Sequence, residues 1–175
     1  EMALVEYARD VVGWSDASSS EFSETTGHPV IHLMAEQENV TEKGGTMRLG
    51  AYPCILKDGT HVRGIYGKRE ISERHRHRYE VNNALRGELE AAGVVFSGTS
   101  PEGDLVEIFE LPSQKWFIAT QFHPEYQSKP TSAHPLFASC IAAALEHRRA
   151  RGEVGGGAEG CADGGADGCV EGGAE

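Results

Sequence analysis

The pattern most suggestive of chemistry is a histidine and a glutamate two positions apart. His123 and Glu125 lie in residues 121–126, Gln-Phe-His-Pro-Glu-Tyr, directly after the apolar run 116–119. In an extended segment this spacing places both side chains on one face, and Pro124 fixes a backbone angle between them. A carboxylate beside an imidazole orients the ring and favours its protonated form. The pattern predicts a general base with its orienting acid where a strand ends, and the alternative is a surface turn without a role.

A base of this kind activates a cysteine or serine, and the sequence offers no clear nucleophile. No residue lies in a Gly-x-Ser/Cys-x-Gly turn. Cys54 follows a proline in a predicted strand and Cys140 falls on the apolar face of the predicted last helix, so both are expected in the core. Cys161 and Cys169 belong to a glycine-rich tail. The sequence therefore predicts the base and its orienting acid without the nucleophile.

The second candidate segment is the charge-dense run 73–80. Period-two alternation over 71–81 predicts a strand with two distinct faces. One face carries Arg74, Arg76, Arg78 and Glu80, and the other carries His75, His77, Tyr79 and Val81. The arginines suit a carboxylate or phosphate, and the alternative is a solvated edge strand. A metal site at the two histidines lacks a third His or a Cys, and RNA binding conflicts with the net charge of −11.

Two weaker patterns stand on loops. Residues 44–50, Gly-Gly-Thr-Met-Arg-Leu-Gly, favour close backbone approach or a mobile flap, with an ordinary turn as the alternative. Glu21 lies in Ser-Ser-Ser-Glu-Phe, residues 18–22, where a lone carboxylate can bind an ammonium group or simply face solvent.

Hydrophobic periodicity and turn residues indicate the elements that position these groups. The predicted helices cover 4–12, 85–92 (capped by Asn82 or Asn83) and 135–149, and the predicted strands cover 30–34, 46–56, 61–66, 71–81, 94–97, 105–111 and 115–122. The Asp-Gly turn within 57–60 is expected to join two of these strands as a hairpin. Mixed helices and hairpins predict an α/β class with some antiparallel strands.

Composition narrows the function classes. The chain has 175 residues with 27 acidic against 16 basic side chains, which disfavours non-specific binding to nucleic acid or anionic membranes. No apolar run approaches the length of a membrane span. We predict one domain over 1–149 and a disordered Gly/acid-rich tail over 150–175. Four cysteines without a CxxC spacing favour a reducing, cytoplasmic location.

Taken together, four segments resemble the glutaminase half of the CTP synthases, a family of class I, triad-type glutamine amidotransferases. They are 18–22, 44–50, 74–83 and 121–126, and they occur in the family's order and spacing. Phe-His-Pro-Glu alone indicates only the wider amidotransferase class. Arg-His-Arg-His-Arg-Tyr-Glu-Val-Asn-Asn together with Gly-Gly-Thr-Met-Arg-Leu-Gly is more specific. The resemblance covers about residues 1–149.

The resemblance implies a fold and a set of site residues. The fold would be a flavodoxin-like class I amidotransferase α/β sandwich with a mixed central sheet, incomplete at its N-terminus. Glutamine would be hydrolysed at a Cys–His–Glu triad, with His123 as general base and Glu125 as its orienting acid. Glu21 would bind the α-ammonium group of L-glutamine, and Arg78 and Glu1 would also contact glutamine.

The resemblance also implies what lies outside this chain. The family's nucleophile turn, Gly-x-Cys-Leu-Gly, would come just before Glu1, so we expect a C-terminal fragment that is inactive alone. The partner would be a synthetase domain that uses ATP and Mg²⁺ to aminate UTP, with GTP as effector. We expect no cofactor or metal in this chain, no nucleic-acid or membrane partner, and a homotetramer formed mainly through the synthetase half. The alternative is a non-catalytic module that binds glutamine or a partner.

Overall fold

The described part of the chain forms two β-sheets and four α-helices. A computed structural model describes residues 1–33 and 47–152. The glycines at 44 and 45 and the predicted tail from 153 onward lie outside the described residues. The helices are α1 Met2–Tyr7, α2 His61–Tyr66, α3 Arg86–Ala91 and α4 Pro135–Ala150. The strands are β1 Ser18–Ser19, β2 Pro29–Leu33, β3 Arg48–Leu56, β4 Glu70–His77, β5 Tyr79–Val81, β6 Val95–Thr99, β7 Val106–Glu110 and β8 Ile118–Thr120.

The larger sheet has five strands in the order β4-β3-β6-β7-β8, and all of its pairs are antiparallel. The smaller sheet has the order β1-β2-β5, with β1 parallel to β2 and β5 antiparallel to it. Arg78 separates β4 from β5, so the chain passes from one sheet to the other at this residue. The two sheets therefore meet beside the segment that the sequence predicts to bind glutamine.

The first helix agrees with its periodic pattern. Leu4, Val5 and Ala8 are buried, and a π-helical turn over Ala8–Val12 continues α1 until Gly13, whose φ of 90° ends it. These side chains join a core that also contains residues of the smaller sheet, α3, β6 and β7. A second core lies around β3, α2 and the start of α4.

The segment 61–66, predicted as a strand, is helix α2. The Thr60 side chain accepts a hydrogen bond from the Arg63 amide, and Gly67 ends the helix with a φ of 66°. The Glu110 carboxylate accepts hydrogen bonds from the His61 and Val62 amides at 3.1 and 2.8 Å, which places a negative charge at the helix N-terminus. Six residues are too few for periodicity to separate helix from strand, and the caps decide.

The long strand predicted over 71–81 is two strands in different sheets. The alternation holds along β4, where Glu73 and His75 are buried and Arg74 is exposed. It fails after Arg78, because the change of sheet shifts the phase of the side chains. Glu80, predicted on the same face as the exposed Arg74, is therefore only 4% exposed.

The last helix does not bury the apolar face that its pattern predicts. Leu136 is buried, but Phe137, Ile141 and Leu145 are exposed, and so is Cys140. The core placement predicted for Cys140 is wrong, because α4 packs on the second core mainly through its first turn. The same prediction for Cys54 is confirmed, with no exposed surface.

No helix within residues 1–33 and 47–152 has both the length and the apolar character needed to cross a bilayer.

We predict that Gly98→Ala destabilises the fold. A Cβ atom at Gly98 would lie 2.8 Å from Ile108 Cγ1 and 2.9 Å from Cys54 Sγ, so the second core would be overpacked. The free energy of unfolding should fall by about 1–3 kcal/mol in urea denaturation. Gly64→Ala is the matched control, because the added methyl group meets open space in α2 and should be neutral or stabilising. Equal stability of the two variants would contradict the close contact.

Candidate active site

The predicted base and acid form one hydrogen-bonded pair at a strand end. β8 ends at Thr120, and a 3₁₀ turn over Pro124–Tyr126 follows His123. His123 Nδ1 lies 2.6 Å from Glu125 Oε1. An ionised Glu125 accepts a hydrogen bond from the Nδ1–H group, so Nε2 carries the lone pair that can act as a base. Both side chains are partly open to solvent, with 39% and 55% of their surface exposed, so a substrate can reach the ring.

Contacts with β4 fix the turn that carries this pair. The His123 amide donates to the Arg74 carbonyl at 2.9 Å. After the turn, Gln127 Nε2 donates to the Ser72 carbonyl at 2.8 Å and to Glu73 Oε2 at 2.6 Å. Because both ends of the turn are bonded to the same strand, the orientation of His123 is set by the larger sheet.

Glu73 is the buried acceptor on which this anchoring depends. Its carboxylate is 3% exposed and also accepts from the Tyr66 hydroxyl at 2.8 Å. His134 Nε2 lies 2.9 Å away, while Nδ1 of the same ring accepts from the Leu136 amide and caps α4. These contacts join α2, α4 and the turn that carries His123 and Glu125 at one carboxylate. Burial raises the pKa of the Tyr66 hydroxyl, and the nearby Glu73 charge adds to that effect.

The charge on Glu125 is favoured by its hydrogen bonds. Its slight burial works to raise the pKa of the carboxyl, but hydrogen bonds from the backbone and from His123 outweigh it and lower the pKa. Glu125 is therefore an anion at neutral pH, as an acid that orients and stabilises an imidazolium must be.

A glutamine amide joins two other segments to the base. Gln121 Nε2 donates to Glu1 Oε1 at 2.9 Å and to the Tyr79 carbonyl at 2.9 Å. Tyr79 directly follows Arg78, and Gln121 lies two residues before His123. The first residue of the chain, the change of sheet at Arg78 and the base are thus brought together around one side chain.

The smaller sheet places Glu21 at the same end as Arg78. β1 runs parallel to β2, with Ser19 opposite Ile31, and Glu21 lies in the turn that follows the end of β1, on the Leu33 side of the sheet. Leu33 in turn pairs with Tyr79, the neighbour of Arg78. Glu21 is exposed, and its backbone amide donates a hydrogen bond to the Ser19 hydroxyl oxygen at 3.2 Å. Within the described residues, no hydrogen bond joins the Glu21 side chain to His123 or Glu1.

Beneath the site, five charged or titratable side chains form a buried network. Arg48 Nη1 lies 2.7 Å from Glu107 Oε1 and 3.7 Å from Glu80 Oε1. His75 Nε2 lies 3.4 Å from Glu107 Oε2, and His75 Nδ1 lies 2.8 Å from His77 Nε2. His77 Nδ1 completes the ring at 3.2 Å from Glu80 Oε1. We call these five side chains the buried ring.

The hydrogen bonds fix the protons of the two imidazoles. His77 Nδ1 lies 3.2 Å from the Tyr79 carbonyl oxygen, which can only accept, so Nδ1 carries the hydrogen. His77 Nε2 then accepts from His75 Nδ1, and both rings are neutral. Arg48 donates to Glu107 Oε1, while within the described residues His75 Nε2, Glu107 Oε2 and both Glu80 oxygens have no hydrogen-bond partner. With Glu80 protonated, the single negative charge of Glu107 balances the guanidinium.

The pKa shifts agree with this placement. Burial, reinforced by the Arg48 charge, lowers the pKa of His75 to about 3 and that of His77 to about 4. Burial raises the pKa of Glu80 to about 8, although the Arg48 charge works in the other direction. Burial also raises the pKa of Glu107, and its direct bond to Arg48 opposes that effect. At neutral pH the proton therefore resides on Glu80.

A metal site at His75 and His77 gains a third potential ligand in the structure, because Glu107 lies with them within 4.8 Å. However, the Arg48 guanidinium already neutralises that carboxylate at 2.7 Å. Two imidazoles and one carboxylate also do not match the oxygen ligands that Mg²⁺ prefers. The residues of the buried ring therefore do not fit the Mg²⁺ that the family resemblance implies for the whole enzyme.

The two described cysteines do not supply a thiolate to His123. Cys54 is fully buried in the second core. Burial raises the pKa of its thiol, and the charges of Glu107 and Glu73 raise it further. Cys140 is exposed on α4. A nucleophilic cysteine next to a base needs the opposite environment, one that lowers the pKa.

The sequence analysis did not identify Gln121, Glu107 or Glu80 as residues of the site, and it placed Arg48 only in a predicted flap or turn. For Glu107, the sequence does contain a signal of a buried ion pair, namely an acidic residue in an otherwise apolar strand. β7 reads Val-Glu-Ile-Phe-Glu, and all five residues are buried. An acid on a fully buried strand requires a buried partner, which here is Arg48 for Glu107.

Comparisons with known proteins agree on one family. The family model described as glutamine amidotransferase class-I matches residues 3–143. The chain is 56% identical over 155 residues to the CTP synthase of Fibrobacter succinogenes, covering 87% of this chain and 28% of that protein. It is 58% identical over 153 residues to the CTP synthase of Geobacter metallireducens, with the same shares covered. The chain thus spans little more than a quarter of the length of these relatives.

A solved structure shows the same fold. The glutaminase domain of Trypanosoma brucei CTPS with bound acivicin matches with a TM-score of 0.76 and 39% sequence identity. The match covers 82% of this chain and 56% of that one.

We predict that Glu80→Gln abolishes a fall in the free energy of unfolding that the wild type shows between pH 6.5 and 8. The pKa of Glu80 is raised to about 8 in the folded chain, so the folded state holds this proton more tightly than the unfolded state. The resulting stabilisation is present at low pH and is lost as the pH rises towards 8. Between pH 6.5 and 8, wild-type stability should fall by up to about 1.4 kcal/mol per pH unit for this one proton. Glutamine at position 80 does not titrate, so the variant should lose this slope.

Urea denaturation at pH 6.5 and 8 measures the difference. Glu102→Gln is the control, because Glu102 is exposed and its replacement should leave the wild-type slope unchanged. An equal decline in wild type and Glu80→Gln would show that Glu80 is already ionised at pH 6.5.

Proposed function

The chain belongs to the class I glutamine amidotransferases, and from this membership we propose that it is the glutamine-hydrolysing part of a CTP synthase. Membership in the family rests on the match over residues 3–143. The predicted class I amidotransferase α/β fold is confirmed by the structural match to a CTPS glutaminase domain. Within the described residues, parallel pairing occurs between β1 and β2, and the larger sheet is antiparallel.

The observation that carries the proposal is the 2.6 Å contact between His123 Nδ1 and Glu125 Oε1. It leaves Nε2 as the basic nitrogen of a ring that an anion orients, in a place that solvent reaches. Relatives 56–58% identical that are named CTP synthase support the assignment to that branch of the family.

In the proposed reaction, a cysteine thiol loses its proton to His123 Nε2 and attacks the side-chain carbonyl carbon of glutamine. The tetrahedral intermediate collapses as His123 gives the proton to the leaving nitrogen, so ammonia departs and a thioester remains. Water, deprotonated by the same ring, then hydrolyses the thioester to glutamate and frees the thiol. Glu125 stabilises the imidazolium that forms in each half of the reaction.

We assign the nucleophile to the Gly-x-Cys-Leu-Gly turn that the family resemblance places just before Glu1. Support comes from the environments of the two described cysteines: Cys54 is buried in the second core, which raises the pKa of its thiol, and Cys140 is exposed on α4. The hydrogen bond between Glu1 and Gln121 also brings the start of α1 next to the base. Residues 1–175 then hold the base and its acid, and the thiol comes from outside them.

The charged ends of glutamine determine the proposed binding residues. Glu21 binds the α-ammonium group and Arg78 binds the α-carboxylate, since the two lie at the same end of the smaller sheet and carry complementary charges. Glu1 contacts the substrate beside the nucleophile. The amide of glutamine is thereby directed towards His123.

The whole protein would use the released ammonia to aminate UTP. The resemblance assigns ATP, Mg²⁺, UTP and the GTP effector to the complete enzyme, and no residue of this chain is assigned to ATP or Mg²⁺. A synthetase domain would be the direct partner of this chain, and a homotetramer would form mainly through it.

We predict that residues 1–175 alone release no ammonia from glutamine above the buffer rate. The physical reason is that a base without its thiol cannot form the thioester, which normally costs several orders of magnitude in rate. Ammonia release by the chain is compared with that of the longer protein proposed to contain it, which should hydrolyse glutamine.

Turnover by the chain at a rate comparable to the longer protein would contradict the assignment of the nucleophile. Calorimetry with glutamine tests the second candidate, a non-catalytic module. Tight glutamine binding by residues 1–175 without any turnover in the longer protein would favour that module.

We predict that Glu125→Gln in the longer protein lowers kcat for glutamine hydrolysis by about 10²- to 10⁴-fold, because the imidazolium loses its counter-charge and the ring loses its fixed tautomer. Thermal unfolding should change little, since the Glu125 side chain is 55% exposed. Glu102→Gln, also exposed, is the control and should keep full activity. A kcat within threefold of wild type would remove Glu125 from the triad.

A further inference from the structure

Gln121 forms a two-way hydrogen-bonded bridge that the reaction scheme does not use. Both hydrogens of its Nε2 are donated, one to Glu1 Oε1 and one to the Tyr79 carbonyl, each at 2.9 Å. Its own amide donates to the Glu107 carbonyl at 2.8 Å, so its backbone is fixed to β7. The backbone of Gln121 is therefore fixed by β7, and its side chain bridges Glu1 and Tyr79.

This arrangement needs a side-chain nitrogen with two hydrogens to donate, which the primary amide of Gln121 supplies without adding a charge. The two acceptors are an anionic carboxylate and a backbone carbonyl, and both are bonded to one nitrogen. A carboxylate in the same place has no hydrogen to donate when it is ionised, and an apolar side chain has none at any pH. The Tyr79 carbonyl oxygen also lies 3.2 Å from His77 Nδ1, so it accepts from both side chains.

The bridge joins the segments to which the proposed function assigns glutamine and its base. Glu1 begins α1, Tyr79 follows Arg78 at the change of sheet, and His123 is two residues beyond the amide. Gln121, Glu1 and Glu107 also line one small cavity of about 10 Å³, which is enough for no more than one water molecule.

We propose that Gln121 is a positioning residue for glutamine, holding the Glu1 carboxylate and the Arg78–Tyr79 corner at a fixed distance from His123. The inference rests on the proposed function and deepens it, since it names a residue of the substrate site that does not itself touch the reacting atoms.

The proposal separates substrate binding from chemistry. His123 has its own supports, namely the Arg74 carbonyl, Glu125 and the anchoring of Gln127 to Glu73. Loss of the Gln121 bridge leaves those supports intact and releases the groups that bind the substrate. A change at Gln121 should therefore raise KM for glutamine much more than it lowers kcat.

The test uses the longer protein with the substitutions Gln121→Leu and Gln121→Glu, and ammonia release gives KM and kcat. Gln121→Leu keeps the approximate size and removes both donors, so KM should rise about tenfold or more while kcat stays within about threefold. A tenfold change corresponds to about 1.4 kcal/mol. Gln114→Glu is the matched control, because Gln114 is exposed and should leave both constants unchanged.

Gln121→Glu adds a signature that a purely structural role would not produce. At pH 8 the new carboxylate faces the Glu1 carboxylate and the Tyr79 carbonyl without a hydrogen to donate, so KM should be high. Two close carboxylates raise the pKa of one of them, and on acidification to pH 6 that group regains an O–H donor. KM of this variant, relative to wild type at the same pH, should then fall several-fold.

The outcomes separate this inference from the function on which it rests. An active wild type with an unchanged KM in both variants, or with kcat lost and KM unchanged, overturns the positioning role and leaves the proposed function standing. If Gln121→Leu does not fold, a Gln121→Glu variant whose relative KM does not vary with pH also overturns it. A wild-type longer protein that releases no ammonia overturns the proposed function and this inference with it.

Discussion

The ion pair between Arg48 and Glu107 is the constraint around which the interior of this protein is arranged. The two side chains are 11% and 0% exposed and lie 2.7 Å apart. Neither charge can be buried alone, since an uncompensated buried charge typically costs about 3–5 kcal/mol. Arg48 lies on β3 and Glu107 on β7, two strands that are not neighbours in the larger sheet. The pair therefore links strands that share no backbone hydrogen bonds. It also places a fixed polar centre beneath the turn that carries His123 and Glu125.

That polar centre explains why the interior face of β4 carries histidines. His75 and His77 connect the Glu107 carboxylate to Glu80, and burial keeps both rings neutral. The opposite face of the strand carries the exposed arginines. A segment that reads as uniformly charged is thus divided into a solvated side and a paired, buried side, and only the latter contributes to the architecture of the site.

The candidate active site is assembled from segments that are far apart in the sequence, and a different device fixes each of them. Glu73 anchors the turn of His123 and Glu125 to the larger sheet. Gln121 ties α1 to the change of sheet beside Arg78. The smaller sheet brings Glu21 to the same end. This division allows the base to be held rigidly while its open side remains accessible to a substrate.

The sequence alone determined the relative placement of side chains that are close together in the chain. The His-Pro-Glu spacing sufficed to pair His123 with Glu125, and the alternation along β4 sufficed to place His75 on the face opposite Arg74, because both are effects of local backbone geometry. Only the tertiary structure decided the helical state of 61–66, the burial of Glu80, the exposure of Cys140, and the partners of Glu107 and Gln121. Each of these depends on a contact between residues distant in the chain, such as the Glu110 carboxylate at the start of α2, and the periodicity of a single segment carries no information about such a contact.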